Sequence, residues 1–174
     1  MEWLAEANMK LEDVAAHIEI RQVLYRYCRG VDRGDRQMLK DVYHPDATDD
    51  HGTWKGNGRA FADYIVEALD GQDAASQHHI TNVLIELHGD EAAVESYFIA
   101  FHPHGQPGEA PGMAFVGGRY LDRFERRDGC WRIARRQVVL DWTREALPGE
   151  AWAAQDHFAR GARRESDPSA GLLA

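Results

Sequence analysis

The chain has 174 residues, enough for one domain with a real core and too few to expect two. Its 20 basic and 29 acidic side chains leave a formal charge of −9, against a nucleic-acid binder, which needs a basic face for phosphates. No stretch approaches the roughly 20 apolar residues of a membrane span, and MEWLAEANMKLEDVAAH lacks the basic region and apolar run of a secretory leader. Cys28 and Cys130 have neither zinc-site nor redox-motif spacing, so two buried thiols in a reducing cytoplasm are expected.

The first element is a helix over 11–32, with Leu11, Val14 and Ile18 opening its apolar stripe and Ile20, Leu24, Tyr27 and Val31 continuing it. RGD at 33–35 breaks it, and Asp35 caps a second helix over 36–44 that Pro45 ends. DATDDHGTWKG reads as a short strand or turn. A third helix follows over about 59–69, with Phe61, Tyr64, Ile65 and Leu69 as its apolar side. After Gly71 the period becomes that of strands: HHITNVLIELHG, EAAVESYFIAFHPH, GMAFVGGRYLDRFERRDG and CWRIARRQVVLDWT. Gly89-Asp90 and Asp128-Gly129 mark tight hairpins, and Gly117-Gly118 marks a bulge. The tail 146–174 is a C-terminal extension with room for one short helix, beyond a core of about 12–145.

Three helices followed by a long meander predict an α+β domain, with helices on one face of a curved antiparallel sheet. Such a sheet, wrapped around a long N-terminal helix, encloses a cone-shaped pocket. In this order YRYCRGVDRGD, YHPDATDDHGTWKG, HHITN and RRDGCWRIARR resemble the NTF2-like superfamily, in its SnoaL-like branch, over roughly 12–145. Within it the pattern is similar to hexachlorocyclohexane dehydrochlorinase and scytalone dehydratase. That resemblance places a catalytic aspartate on Asp32, a histidine on His78 through His-x-x-Thr-Asn, and an arginine on Arg136. Similarity to bile-acid dehydratase adds Tyr27 or Tyr25. It also implies a homo-oligomer, dimer or trimer, formed through the exposed sheet.

The residues carry a physical reading beside this. Tyr25, Cys28 and Asp32 follow i, i+3, i+7 spacing and share a helix face, where a carboxylate needs a partner. An imidazole bonded to Asp32 is oriented and made a stronger base. Strand parity leaves open which histidine faces inward: His79 shares a face with Thr81, Val83, Ile85 and Leu87, whereas His78 shares one with Ile80, Asn82 and Leu84. The same alternation puts Arg132 and Arg136 on one face and Arg135 on the other.

Asp49 and His51 share a face of their short strand, a stretch that supplies the catalytic aspartate in ketosteroid isomerase. They join Tyr25 and Asn82 as substrate-binding candidates. His102 and His104 have the alternation of a weak metal site, but FHPHG reads more naturally as running into a hairpin loop, and no metal is expected. Together with the Asp32–His78 pairing, the resemblance implies a cofactor-independent lyase, dehydratase-like, acting on a small and mostly apolar molecule. An isomerase or cyclase using the same pocket, or a non-catalytic binding module, are the alternatives. The binder is favoured if Asp32 and His78 lie beyond hydrogen-bond reach, about 2.6–3.2 Å.

Overall fold

The computed structural model describes residues 10–69, 76–104, 112–146, 159 and 161–169. Helix α1 (Leu11–Arg33) carries Glu12 and Asp13 in its first turn, where carboxylates suit the helix dipole. It ends on Gly34 in the left-handed region (φ 64°), whose N–H donates to the last carbonyls. Its buried stripe is Ala16, Ile20, Val23, Leu24, Tyr27, Cys28, Val31 and Asp32. Leu11, Val14 and Ile18 do not open that stripe, being 84, 38 and 56% exposed. Two residues span about 200° of helix, so Ile18 cannot share a face with Ile20, and the sheet selects the Ile20 phase.

Asp35 caps α2 (Arg36–Asp41), accepting from the Met38 N–H at 2.9 Å. This helix stops earlier than expected. Tyr43 and His44 already belong to β1 (Tyr43–Asp50), because the residue before a proline disfavours the α region and Pro45 pushes the break upstream. After β2 (Lys55–Asn57), Asn57 caps α3 (Gly58–Ala68) through the Arg59 and Ala60 N–H groups. Gly58 lies directly on the Tyr43 ring, where a Cβ would overlap it. Phe61, Ala62 and Val66 are the buried side of α3, while Tyr64 is exposed and stacked on Trp54.

The long strands are β3 (Gln77–His88), β4 (Glu91–His104), β5 (Gly112–Arg127) and β6 (Cys130–Ala146). They form a six-stranded sheet in the order β2-β1-β6-β5-β4-β3. Every pair is antiparallel except β1 with β6, so the sheet is mixed rather than wholly antiparallel. Asp128 and Gly129 turn the β5–β6 hairpin with positive φ at both positions.

Three one-residue irregularities bend this sheet and reset its parity. Thr81 and Asn82 together oppose one β4 residue, since Ile80 pairs with Phe98 and Val83 with Ser96. Ala134 is an extra residue between Ile133, opposite Phe124, and Arg135, opposite Arg123. The expected bulge at Gly117-Gly118 is present, its extra residue being Asp141 on β6. In the described part of the tail, Arg164–Ser166 forms a single 3-10 turn, and 147–158 lie outside the described residues.

Candidate functional site

The Thr81–Asn82 bulge answers which histidine faces inward. His78 and Ile80 precede it and Val83, Ile85 and Leu87 follow it, yet all five are on the more buried face. His79 is exposed. Asn82 is exposed too, and it is not among the residues that line the cleft described next, so the expectation that it binds substrate is not supported.

Asp32, in the last turn of α1, accepts three hydrogen bonds from His78 at the start of β3 and from Ser76 just before it. His78 Nδ1 lies 2.6 Å from Oδ1, the His78 main-chain N–H donates to Oδ2 at 2.9 Å, and the Ser76 hydroxyl donates to Oδ1 at 3.0 Å. Asp32 is 8% exposed, so these bonds replace its lost hydration. They also fix the ring: with Nδ1 as the donor, Nε2 is left as the basic nitrogen. Among the described residues Nε2 has no hydrogen-bond partner. The pair opens on a cleft of about 250 Å³ between α1 and β3, lined by Tyr25, Cys28, Arg29, Asp32, Arg33, His78 and Ile80.

His102 continues the inward face of β4 after Phe98 and Ala100, and its ring meets that of His78 edge-on at 5.0 Å. Burial, reinforced by His78, pushes its imidazole down to about 4, so it is neutral at neutral pH. The ring contact puts it beside the Asp32–His78 pair. His104 is exposed and bonded to Glu145 at 2.6 Å. No cluster of metal-ligating side chains occurs among the described residues.

The other candidates gather elsewhere. His51 Nδ1 is bonded to Asp49 Oδ1, and its Nε2 lies 2.9 Å from the Tyr27 hydroxyl. Asp49 also accepts from the Tyr43 hydroxyl at 2.5 Å, and the His51 ring stacks on Phe61 at 3.9 Å. Burial raises the Tyr27 hydroxyl far above the ordinary phenol range.

Arg136 is not on the Arg132 face, because Ala134 flips the parity between them. It is 1% exposed, bonded through Nε and Nη2 to Asp122 at 2.8 and 2.7 Å, and lies over the Tyr27 and Tyr120 rings at 4.1 and 4.0 Å. Burial works against its charge, but Asp122, with Tyr43 and Tyr27, outweighs it and keeps the guanidinium charged. Neither Arg136 nor Tyr27 lines the cleft. Cys28 does, and the charges of both Arg136 and Asp32 reach its thiol, which burial pushes up to about 12.

Sequence reasoning missed Ser76, His102 as a partner of His78, Tyr43 as a donor to Asp49 and Asp122 as the acceptor of Arg136. His102 was detectable from the β4 alternation Phe98, Ala100, His102. Ser76 was not, since nothing in SQHH ties it to a residue on a distant helix.

The SnoaL-like domain model matches residues 12–137. No protein with a curated description matches the sequence. Among solved structures, LinA aligns at TM-score 0.70 and 21% identity, over 82% of this chain and 97% of that one. The hexachlorocyclohexane dehydrochlorinase LinA-type3 from Novosphingobium barchaimii LL02 aligns at 0.68 and 20%, over 82% and 97%. A scytalone-dehydratase-like protein from Novosphingobium aromaticivorans aligns at 0.67 and 22%, over 80% and 97%. At these identities the likeness is one of fold. The family model covers most of the chain, and the protein belongs to the SnoaL-like family, within the NTF2-like fold.

Proposed function

We propose that the protein is a cofactor-independent lyase that eliminates a small group, water by analogy, from a compact organic molecule. The carrying observation is the 2.6 Å bond between His78 Nδ1 and Asp32 Oδ1, with Nε2 open beside the cleft. Nε2 takes a proton from carbon, the C–H electron pair forms the new double bond, and the leaving group departs with its own bonding pair. Asp32 holds the imidazolium so formed. The same proton then meets the departing hydroxide to give water, so no cofactor is consumed. Such general-base catalysis contributes about 10²–10⁴ in rate.

Arg136, whose charge reaches Cys28 on the cleft wall, and Tyr27 beneath its guanidinium support the developing charge at a distance rather than by contact. Tyr25, half exposed on the rim, contacts substrate. Support for enzymatic rather than purely binding activity comes from the dehydrochlorinase and dehydratase neighbours. Exposed Tyr97, Ile99, Leu140 and Trp142 suit a homo-oligomer. Of the two thiols expected to be buried, Cys28 is and Cys130 is not, because Cys130 directly follows the Asp128–Gly129 turn at the start of β6; a free, exposed thiol suits a reducing cytoplasm. No helix of the described residues is long and apolar enough to cross a membrane.

The test is a screen of small hydroxylated and halogenated compounds by product mass, run on wild type, Asp32→Asn and His78→Ala. Loss of a small fragment by wild type alone supports the reading. A product of unchanged mass replaces elimination by isomerisation, for which His102 offers a second imidazole at 5.0 Å to return the proton. Undiminished turnover in either variant removes the mechanism.

A further inference from the structure

Asp32 is reached by one donor to which the elimination assigns no part. The Ser76 side chain is buried, 1% exposed, and its hydroxyl donates to Asp32 Oδ1 at 3.0 Å. His78 Nδ1 meets that same oxygen at 2.6 Å, while the His78 main-chain N–H takes Oδ2 at 2.9 Å. The second pair is wired differently. His51 Nδ1 takes Asp49 Oδ1, and the Tyr43 hydroxyl donates to the other oxygen, Oδ2. Of the two pairs, only the open one has a hydroxyl and an imidazole on a single carboxylate oxygen.

Sharing that oxygen has a geometric and an electrostatic consequence. Ser76 lies two residues before His78, with exposed Gln77 between them, so the chain that delivers the ring delivers the hydroxyl to the same side. The carboxylate is gripped at both oxygens, which stops its rotation with Oδ1 against Nδ1. The hydroxyl also draws off part of the negative charge that steadies an imidazolium. It favours the ionised carboxylate, so the proton between Oδ1 and Nδ1 stays on the ring. Buried as it is, this bond meets little competition from water.

We propose that Ser76 is a positioning residue of the Asp32–His78 base: it fixes the carboxylate against the ring and keeps His78 a weaker base than Asp32 alone would make it. This rests on the lyase reading and deepens it. A base that releases its proton readily suits an elimination that hands the proton on to the departing hydroxide. The other groups facing His78 are Tyr25, Cys28, Arg29 and Arg33 of α1 around the cleft, and His102 of β4. From the C-terminal segment comes Arg163, whose charge reaches His102 and whose Nη1 donates to the Val31 carbonyl at 3.1 Å. None of these bonds to Ser76, so a change at Ser76 leaves them in place.

The test follows the His78 ring by NMR titration of the full chain in wild type, Ser76→Ala and Ser76→Thr. Its midpoint should move up by about half a pH unit to one unit in Ser76→Ala, because the carboxylate then turns its whole charge on the imidazolium. Ser76→Thr, which keeps the hydroxyl, should bring the midpoint back towards wild type. On a substrate found by the product-mass screen, Ser76→Ala should lower kcat by about tenfold with KM little changed. The acid limb of its kcat/KM profile should move to higher pH with the ring. A merely structural serine would cost stability and leave the midpoint where it was. An unmoved or lowered midpoint in folded Ser76→Ala overturns the proposal. Should that variant not fold, Ser76→Cys, a weaker donor, carries the comparison: a smaller upward move supports the proposal and no move overturns it. A midpoint that follows Ser76, alongside full turnover in Asp32→Asn, would sink the lyase reading alone. Turnover that needs Asp32, with a midpoint indifferent to Ser76, would sink this inference alone.

Discussion

Asp32–His78 and Asp49–His51 are the same two side chains in the same relation, an aspartate oxygen on Nδ1. They differ at the other ring nitrogen. His51 Nε2 is met by the Tyr27 hydroxyl and its ring is pressed against Phe61, whereas His78 Nε2 has no partner among the described residues and its pair opens on a cleft. The aspartate orients either ring, but only an unoccupied second nitrogen can take a proton from a substrate. Pairing with a carboxylate is therefore no sign of catalysis by itself; what lies beyond the ring decides.

The sharpest way to break this contrast is to remove each imidazole in turn. His78→Ala should cut turnover by about 10²–10⁴, whereas His51→Ala should cut it far less. The cost of His51→Ala should instead be about 1–3 kcal/mol of stability, read by urea denaturation, because Asp49 and Tyr27 lose a buried partner. Equal kinetic losses would mean that both pairs take part in the chemistry.

The region around the second pair can be probed through its arginine. Arg136→Met should cost about 3–5 kcal/mol by leaving Asp122 charged and alone, and adding Asp122→Leu should recover most of it. If Arg136→Met instead leaves stability intact and removes turnover, Arg136 touches the substrate after all.

Around the first pair, acid should act through His102. Its pKa is depressed by burial to about 4, so the folded chain binds fewer protons there than the unfolded chain. The stabilisation is whole above about 6.5, the unfolded value, and is lost as pH falls from there towards about 4. His102→Asn should flatten the slope of the urea midpoint across that window. An unaltered slope would place the ring in water.

The smallest effect concerns the thiols. Iodoacetamide should modify exposed Cys130 and spare Cys28, whose thiol burial holds at about 12, although Cys28 lines the cleft. Rapid labelling of Cys28 would show that the cleft opens deeper than its static shape.

Much of this was legible in the chain. The helical stripe through Ile20, Leu24, Tyr27 and Val31, the four strands and both hairpin turns follow from local period and turn chemistry. The Asp32 and His78 pairing was legible through the family pattern. Asp49 and His51 were read together because a strand of period two puts them on one side. What failed was parity over longer stretches. One extra residue at Thr81–Asn82 turns His78 inward with Val83, and one at Ala134 turns Arg136 inward away from Arg132.

The sequence by itself determined the elements, their order and the residue types of the two aspartate–histidine pairs, because these depend on interactions between near neighbours. Only the tertiary structure decided that Tyr27 closes off one pair and leaves the other open, that Arg136 spends its charge on Asp122, and that Arg163 comes back to Val31. Each of those depends on where a bulge or a returning chain places a side chain against a partner far away in sequence. No local pattern records that distance.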